Sequence, residues 1–103
     1  FANPVFMGPS RRWHVLERLL DWKGCSVRRC DIVEVGVFAA QTSVHVLDRF
    51  PLLHLHGVDP YLALPEQPDA NEQVYSLASS FYQGYASRAT LHRNVSRAVA
   101  PSL

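Results

Sequence analysis

The sequence predicts an α/β fold built on a parallel sheet, and three observations carry that expectation. A short apolar run, Ile32-Val33-Glu34-Val35, stops at Gly36. Val44 and Leu47 then fall on one face of a helical segment that Phe50-Pro51 closes. A second apolar run, Leu53 to Val58, ends in an acid, Asp59. Two consecutive strands joined by a helix pair in parallel through a crossover that is almost always right-handed, so the order of elements nearly fixes the topology.

Taken in order, residues 1–10 read as an irregular lead-in, with two prolines and a glycine among apolar side chains. Ser10 is an apt N-cap for a helix over Arg11–Trp22, and Gly24 suits its stop, so residues 11–24 form an N-terminal helical unit. Trp13, Leu16 and Leu20 share one stripe with Leu19 beside it, and Trp13 and Trp22 are expected to pack in the core or against a neighbour. Cys25 and Cys30 flank a basic turn; a single C-x4-C pair is poor evidence for metal, and two reduced thiols are expected. In the crossover helix, Thr42 and Ser43 stand where hydroxyls cap free N–H groups. His45 is expected to face solvent or a helix neighbour.

The second strand is expected near the sheet edge. Its alternation puts His54 and His56 on one face, but no third ligand accompanies them and a metal pair is not adopted. Residues 62–71, with Pro65 and Pro68, read as a loop. A helix over Val74–Arg88 would bury Val74, Leu77, Ala78, Phe81 and Tyr85. A third strand over Ala89–Arg93 leads into Asn94-Val95-Ser96 and the start of another helix.

The chemistry of this arrangement lies at the carboxyl edge of the sheet, where open α/β sheets place ligands. Gly36 lets a ligand approach bare backbone, and the following helix directs its free N–H groups at the same space. Asp59 follows about 20 residues later, the spacing of a carboxylate that accepts ribose hydroxyls. The dinucleotide pattern G-x-G-x-x-G is absent, because Gly36-Val37-Phe38-Ala39-Ala40-Gln41 keeps only its first glycine. A phosphate-binding P-loop is excluded, since the sequence has no Gly-Lys-Ser/Thr triplet.

What is present is E-x-G-x-F-x-A, then Gln41-Thr42-Ser43, then Gly57-Val58-Asp59-Pro60-Tyr61. These residues resemble the class I S-adenosylmethionine-dependent methyltransferases, in particular the group acting on small molecules. The resemblance spans about residues 11–100, and it implies a three-layer Rossmann-like parallel sheet. Only the first half of that sheet would lie in this chain, in the strand order 3-2-1, with residues 31–103 as the cofactor-binding half. It further implies that Glu34 lies beneath the methionine part of S-adenosylmethionine and that Gly36, Val37 and Phe38 form the turn around it. Thr42 and Ser43 would meet a cofactor carboxylate, Asp59 the ribose, and Pro60 and Tyr61 the adenine, with Asn94 and Ser96 also reaching it. Ala40 departs from the family pattern, which often has glycine there.

Composition bounds the rest. The 103 residues are one domain at most, and a net charge of +1 gives no reason to expect nucleic acid or an anionic membrane as partner. No apolar run reaches membrane-spanning length. The chain is expected to be a truncated methyltransferase domain of cytoplasmic location, with a small-molecule methyl acceptor as partner and a fourth strand beyond Leu103. Acceptor, general base and oligomeric state are not legible, and no catalytic residue is assigned. Two other classes stay open: a different nucleotide-binding Rossmann-like enzyme, and a non-catalytic interaction domain that retains a methyltransferase shape.

Overall fold

Every strand pairing among the described residues is parallel. In the computed structural model, residues 8–62 and 69–93 are described, with side chains from residue 13 onward. Their elements are α1 (Gly8–Trp22), β1 (Cys30–Val35), α2 (Gln41–Arg49), β2 (Leu53–Val58), α3 (Ala70–Gln83), a 3-10 turn (Ala86–Arg88) and β3 (Ala89–His92). The sheet runs β1-β2-β3. Ile32 lies opposite Leu55 and Glu34 opposite Gly57, while Leu55 lies opposite Ala89 and Gly57 opposite Leu91.

That register sorts the side chains into two faces. Cys30, Ile32 and Glu34, with Leu53, Leu55, Gly57, Ala89 and Leu91, share the face covered by helices. Ser43 of α2 bonds Glu34 there, and the Tyr82 ring of α3 lies over Gly57. Right-handed crossovers that step the same way across a sheet put their helices on the same side. The opposite face carries Val33, 61% exposed, and Val35, 80% exposed. The described residues therefore form two layers, and no second helical layer occurs among them.

The core lies between the sheet and the helices, with Val46, Leu47, Phe50, Leu53 and Leu55 almost fully buried. α1 packs on α2, and its Leu16 and Leu20 reach the core. It starts at Gly8, earlier than Ser10 would set it as a cap; Pro9, lacking an N–H, suits a first helical turn. Trp22 is 77% exposed and lies outside the core of the described residues. α1 ends in a Schellman motif, with Cys25 N–H on Leu20 O (3.0 Å) and Gly24 N–H on Asp21 O (3.0 Å).

This turn brings the Cys25 and Cys30 Cα atoms within 5.4 Å, and the two residues form a buried disulfide. The expectation of reduced thiols is thereby corrected, and the cysteines no longer support a cytoplasmic location. No described helix is long and apolar enough to cross a membrane.

Three further expectations change. β2 is flanked on both sides by strands, so among the described residues it is central, although one of its faces is open. α3 begins at Ala70 and ends at Gln83, four residues earlier at its start than its apolar pattern suggests. Its buried stripe is Ala78 and Tyr82, flanked by Val74 and Tyr75, whereas Leu77 and Phe81 are 48% and 43% exposed. The stripe rotates because the Tyr82 hydroxyl finds a buried partner in Ser43.

On the open face His56 stacks on His92, with Nδ1 to Nε2 at 3.1 Å. His54 does not join them, and no metal-holding group of three His, Cys, Asp or Glu side chains occurs among the described residues. Burial first, and then the neighbouring His56, hold the His92 imidazole below its ordinary 6.5. With the folded value depressed, the unfolded chain binds more protons below about pH 6.5, so this residue makes the fold less stable as pH drops through that value. The melting temperature is expected to fall between about pH 7.5 and about pH 5.5, and less so in His92→Gln. An identical fall in the variant would assign the effect to other groups.

Candidate functional site

The site grows from two strand ends. β1 finishes at Val35, and Gly36 donates its N–H to Val58 O at 2.8 Å, which extends the ladder into the turn. Gly36 then takes φ +84°, a left-handed conformation that glycine adopts without a Cβ penalty. Phe38 (φ +50°) and Ala40 (φ +68°) are left-handed too, although neither is glycine. Such a conformation disfavours an L side chain by about 1–2 kcal/mol, and strain of this kind collects at ligand sites. This clarifies Ala40: glycine suits the position because of backbone conformation, and the methyl itself is fully buried.

From β2 the chain passes directly into Asp59, whose carboxylate spans the gap to the first turn. Oδ2 accepts the Phe38 N–H at 3.0 Å, and Oδ1 accepts the Tyr61 N–H at 2.9 Å. The Tyr61 hydroxyl donates to Phe38 O at 2.6 Å. These three bonds lace the two turns together. Each carboxylate oxygen can accept a second hydrogen bond, so Asp59 is oriented by the fold and retains capacity for a ligand.

Above the turn lies an open hollow of about 420 Å³, lined by Glu34 to Ala39 with Gln41 and Thr42. α2 begins at its margin with Ala40 at the N-cap, and no side chain caps its first N–H groups. Thr42 and Ser43 are therefore not caps, contrary to expectation. Thr42 Oγ1 accepts the Trp13 indole N–H at 3.2 Å, which ties α1 over the edge of the hollow, and the Trp13 ring stacks on His45. His45 also pairs with Glu17 of α1, so its partner is a helix neighbour.

Glu34 is half-buried, and its carboxylate accepts the Ser43 hydroxyl. Burial pushes its pKa up, and the Ser43 hydrogen bond partly counters that rise. Tyr61 is buried, which drives its phenol well above the ordinary range; nearby Asp59 adds to the effect.

The sequence-predicted residues thus divide. Glu34, Gly36, Val37, Phe38 and Thr42 line the hollow, with the Phe38 ring 73% exposed. Asp59 grips the same turn but is not among the lining residues. Ser43 is fully buried beneath Glu34, Pro60 is exposed, and Tyr61 is packed under the turn with Tyr75 edge-on at 5.3 Å. Asn94 and Ser96 lie outside the described residues. Gln41 and Ala39 belong to the site although sequence reasoning gave them no role; their place in the turn between Gly36 and Thr42 was the available signal. Tyr82, to which sequence reasoning gave no site role, reaches the site through Ser43.

Comparisons with family models, with curated proteins and with solved structures return no match to this chain.

Proposed function

We propose that the chain is the cofactor-binding half of an S-adenosylmethionine-dependent methyltransferase that passes a methyl group to a small-molecule acceptor. On this reading the sheet continues past β1 into the second half of a Rossmann-like domain, whose helices would cover Val33 and Val35. The observation that carries the proposal is the carboxylate of Asp59 fixed against the Gly36–Phe38 turn by the Phe38 N–H. A bare backbone corner and an oriented acceptor on adjoining parallel strands suit a ribose diol with a charged tail. The uncapped start of α2 offers N–H donors for the carboxylate of that tail. Glu34 supplies an acceptor for its ammonium group, and methyl transfer from the sulfonium then depends on positioning more than on covalent help.

Isothermal titration of the full-length protein with S-adenosylhomocysteine, NAD and a nucleotide sugar tests this. S-adenosylhomocysteine should bind and the others should not. Asp59→Ala should weaken that binding roughly 30- to 100-fold, the size of one or two lost charge-assisted hydrogen bonds. Because Asp59 also holds two backbone N–H groups, Asp59→Asn and a melting curve accompany it as controls. Equal binding by wild type and Asp59→Ala would favour a non-catalytic interaction domain, and preference for NAD would favour a different nucleotide enzyme.

A further inference from the structure

Resting on the cofactor-binding reading above, we propose that Tyr82 and Ser43 are positioning residues, forming a buried relay that aims the Glu34 carboxylate into the hollow and selects ligands ending in an N–H donor. Three elements converge on it: Glu34 from β1, Ser43 from α2 and Tyr82 from α3. Ser43 is fully buried and Tyr82 is 3% exposed, so neither is positioned to touch a ligand in the hollow. The Tyr82 hydroxyl lies 2.9 Å from Ser43 Oγ, and Ser43 Oγ bonds Glu34 Oε1.

The direction of these bonds follows from proton counting. A serine hydroxyl has one proton, and an ionised carboxylate only accepts. Ser43 therefore donates to Glu34 and must accept from Tyr82. Burial raises the Tyr82 phenol to about 12; the Ser43 hydrogen bond partly counters that rise and nearby Glu34 adds to it, so the phenol stays protonated throughout the neutral range and can donate. One Glu34 oxygen is thereby held from below and the other is left to the hollow as a pure acceptor. An ammonium at the ligand's end satisfies it, whereas a second carboxylate is repelled. Gly57 is what admits the relay: its missing Cβ leaves the space that the Tyr82 hydroxyl occupies.

The test compares two probes on the full-length protein: S-adenosylhomocysteine, which carries the amino-acid end, and 5′-methylthioadenosine, which lacks it. Ser43→Ala should weaken S-adenosylhomocysteine binding about 10-fold and Tyr82→Phe about 3-fold, each a fraction of one charge-assisted hydrogen bond. The double variant should be no weaker than Ser43→Ala, because Tyr82 acts through Ser43. Affinity for 5′-methylthioadenosine should be unchanged. The pH at which S-adenosylhomocysteine binding fails on the acid side should move up in Ser43→Ala, since Glu34 loses the bond favouring its charged form. Multiplying losses in the double variant, or equal losses for both probes, would overturn the relay and leave the cofactor reading standing. Tyr82→Phe keeps the ring and serves if Ser43→Ala does not fold. Wild-type protein that binds neither probe would overturn both readings.

Discussion

Gly57→Ala is expected to lower the stability of the fold by about 2–4 kcal/mol, at or above the usual range for overpacking a filled core. A Cβ at this position would fall on the Tyr82 hydroxyl, 2.7 Å from Val37 Cγ2 and 2.8 Å from Tyr82 Cζ. None of these atoms can retreat cheaply. Tyr82 is 3% exposed and bonded to Ser43, and Val37 is 4% exposed inside the Gly36–Phe38 turn. Relief must come from moving α3 off the sheet or distorting the turn that Asp59 holds. In urea unfolding the midpoint should drop with little change of slope, and the melting temperature should fall by roughly 10 °C or more. Adding Tyr82→Phe removes one of the three clashing atoms and should recover part of the loss. A single-variant loss under about 0.5 kcal/mol would mean that the α3–β2 packing is looser than these distances imply.

The same glycine marks where sequence reasoning reached and where it stopped. Gly57 was legible only as part of the Gly-Val-Asp-Pro-Tyr string, because the ring that needs its space lies 25 residues further on in α3. Local signals served well for β1, α2 and β2: their apolar runs are short, bounded by Gly36, Phe50-Pro51 and Asp59, and each signal acts within one element. They served less well for α3, where Leu77 and Phe81 match a helical stripe as closely as Ala78 and Tyr82 do. Burying a tyrosine in preference to a leucine depends on a partner for its hydroxyl, and that partner, Ser43, comes from another element. The disulfide was missed for a related reason, since a C-x4-C spacing does not reveal that the turn at Gly24 folds the two cysteines together. In the site, Gly36 and Asp59 were legible from spacing, but the left-handed backbone at Phe38 and Ala40 was not, because neither residue advertises it.

Arg88→Ala is expected to destabilise the fold by about 2–4 kcal/mol, through carbonyl groups rather than through charge pairing. Sequence placed Arg88 at the end of a helix and gave its side chain no role. In the structure it closes the 3-10 turn before β3, and its guanidinium reaches back to the α2–β2 corner. Nη2 donates to Leu47 O at 2.7 Å and to Phe50 O at 2.8 Å, and Nε donates to Leu53 O at 3.0 Å. Leu47 lies in the last turn of α2, where carbonyls lack intrahelical partners, and a cation also suits the negative end of the helix dipole. Truncation removes a donor from each of these three acceptors, of which Phe50 O keeps the Leu53 N–H, beside the fully buried side chains of Leu47, Phe50 and Leu53. Arg88→Lys separates geometry from charge. An ammonium reaches at most one or two of the carbonyls and lacks the planar fork, so it should recover less than half of the lost stability. The corner also fixes where β2 starts, and through β2 the placement of Asp59. On the cofactor-binding reading proposed above, Arg88→Ala should therefore weaken S-adenosylhomocysteine binding modestly while leaving the pH dependence of binding unchanged. Full recovery by lysine would instead assign the effect to the helix dipole, and the fork geometry at this corner would then be incidental.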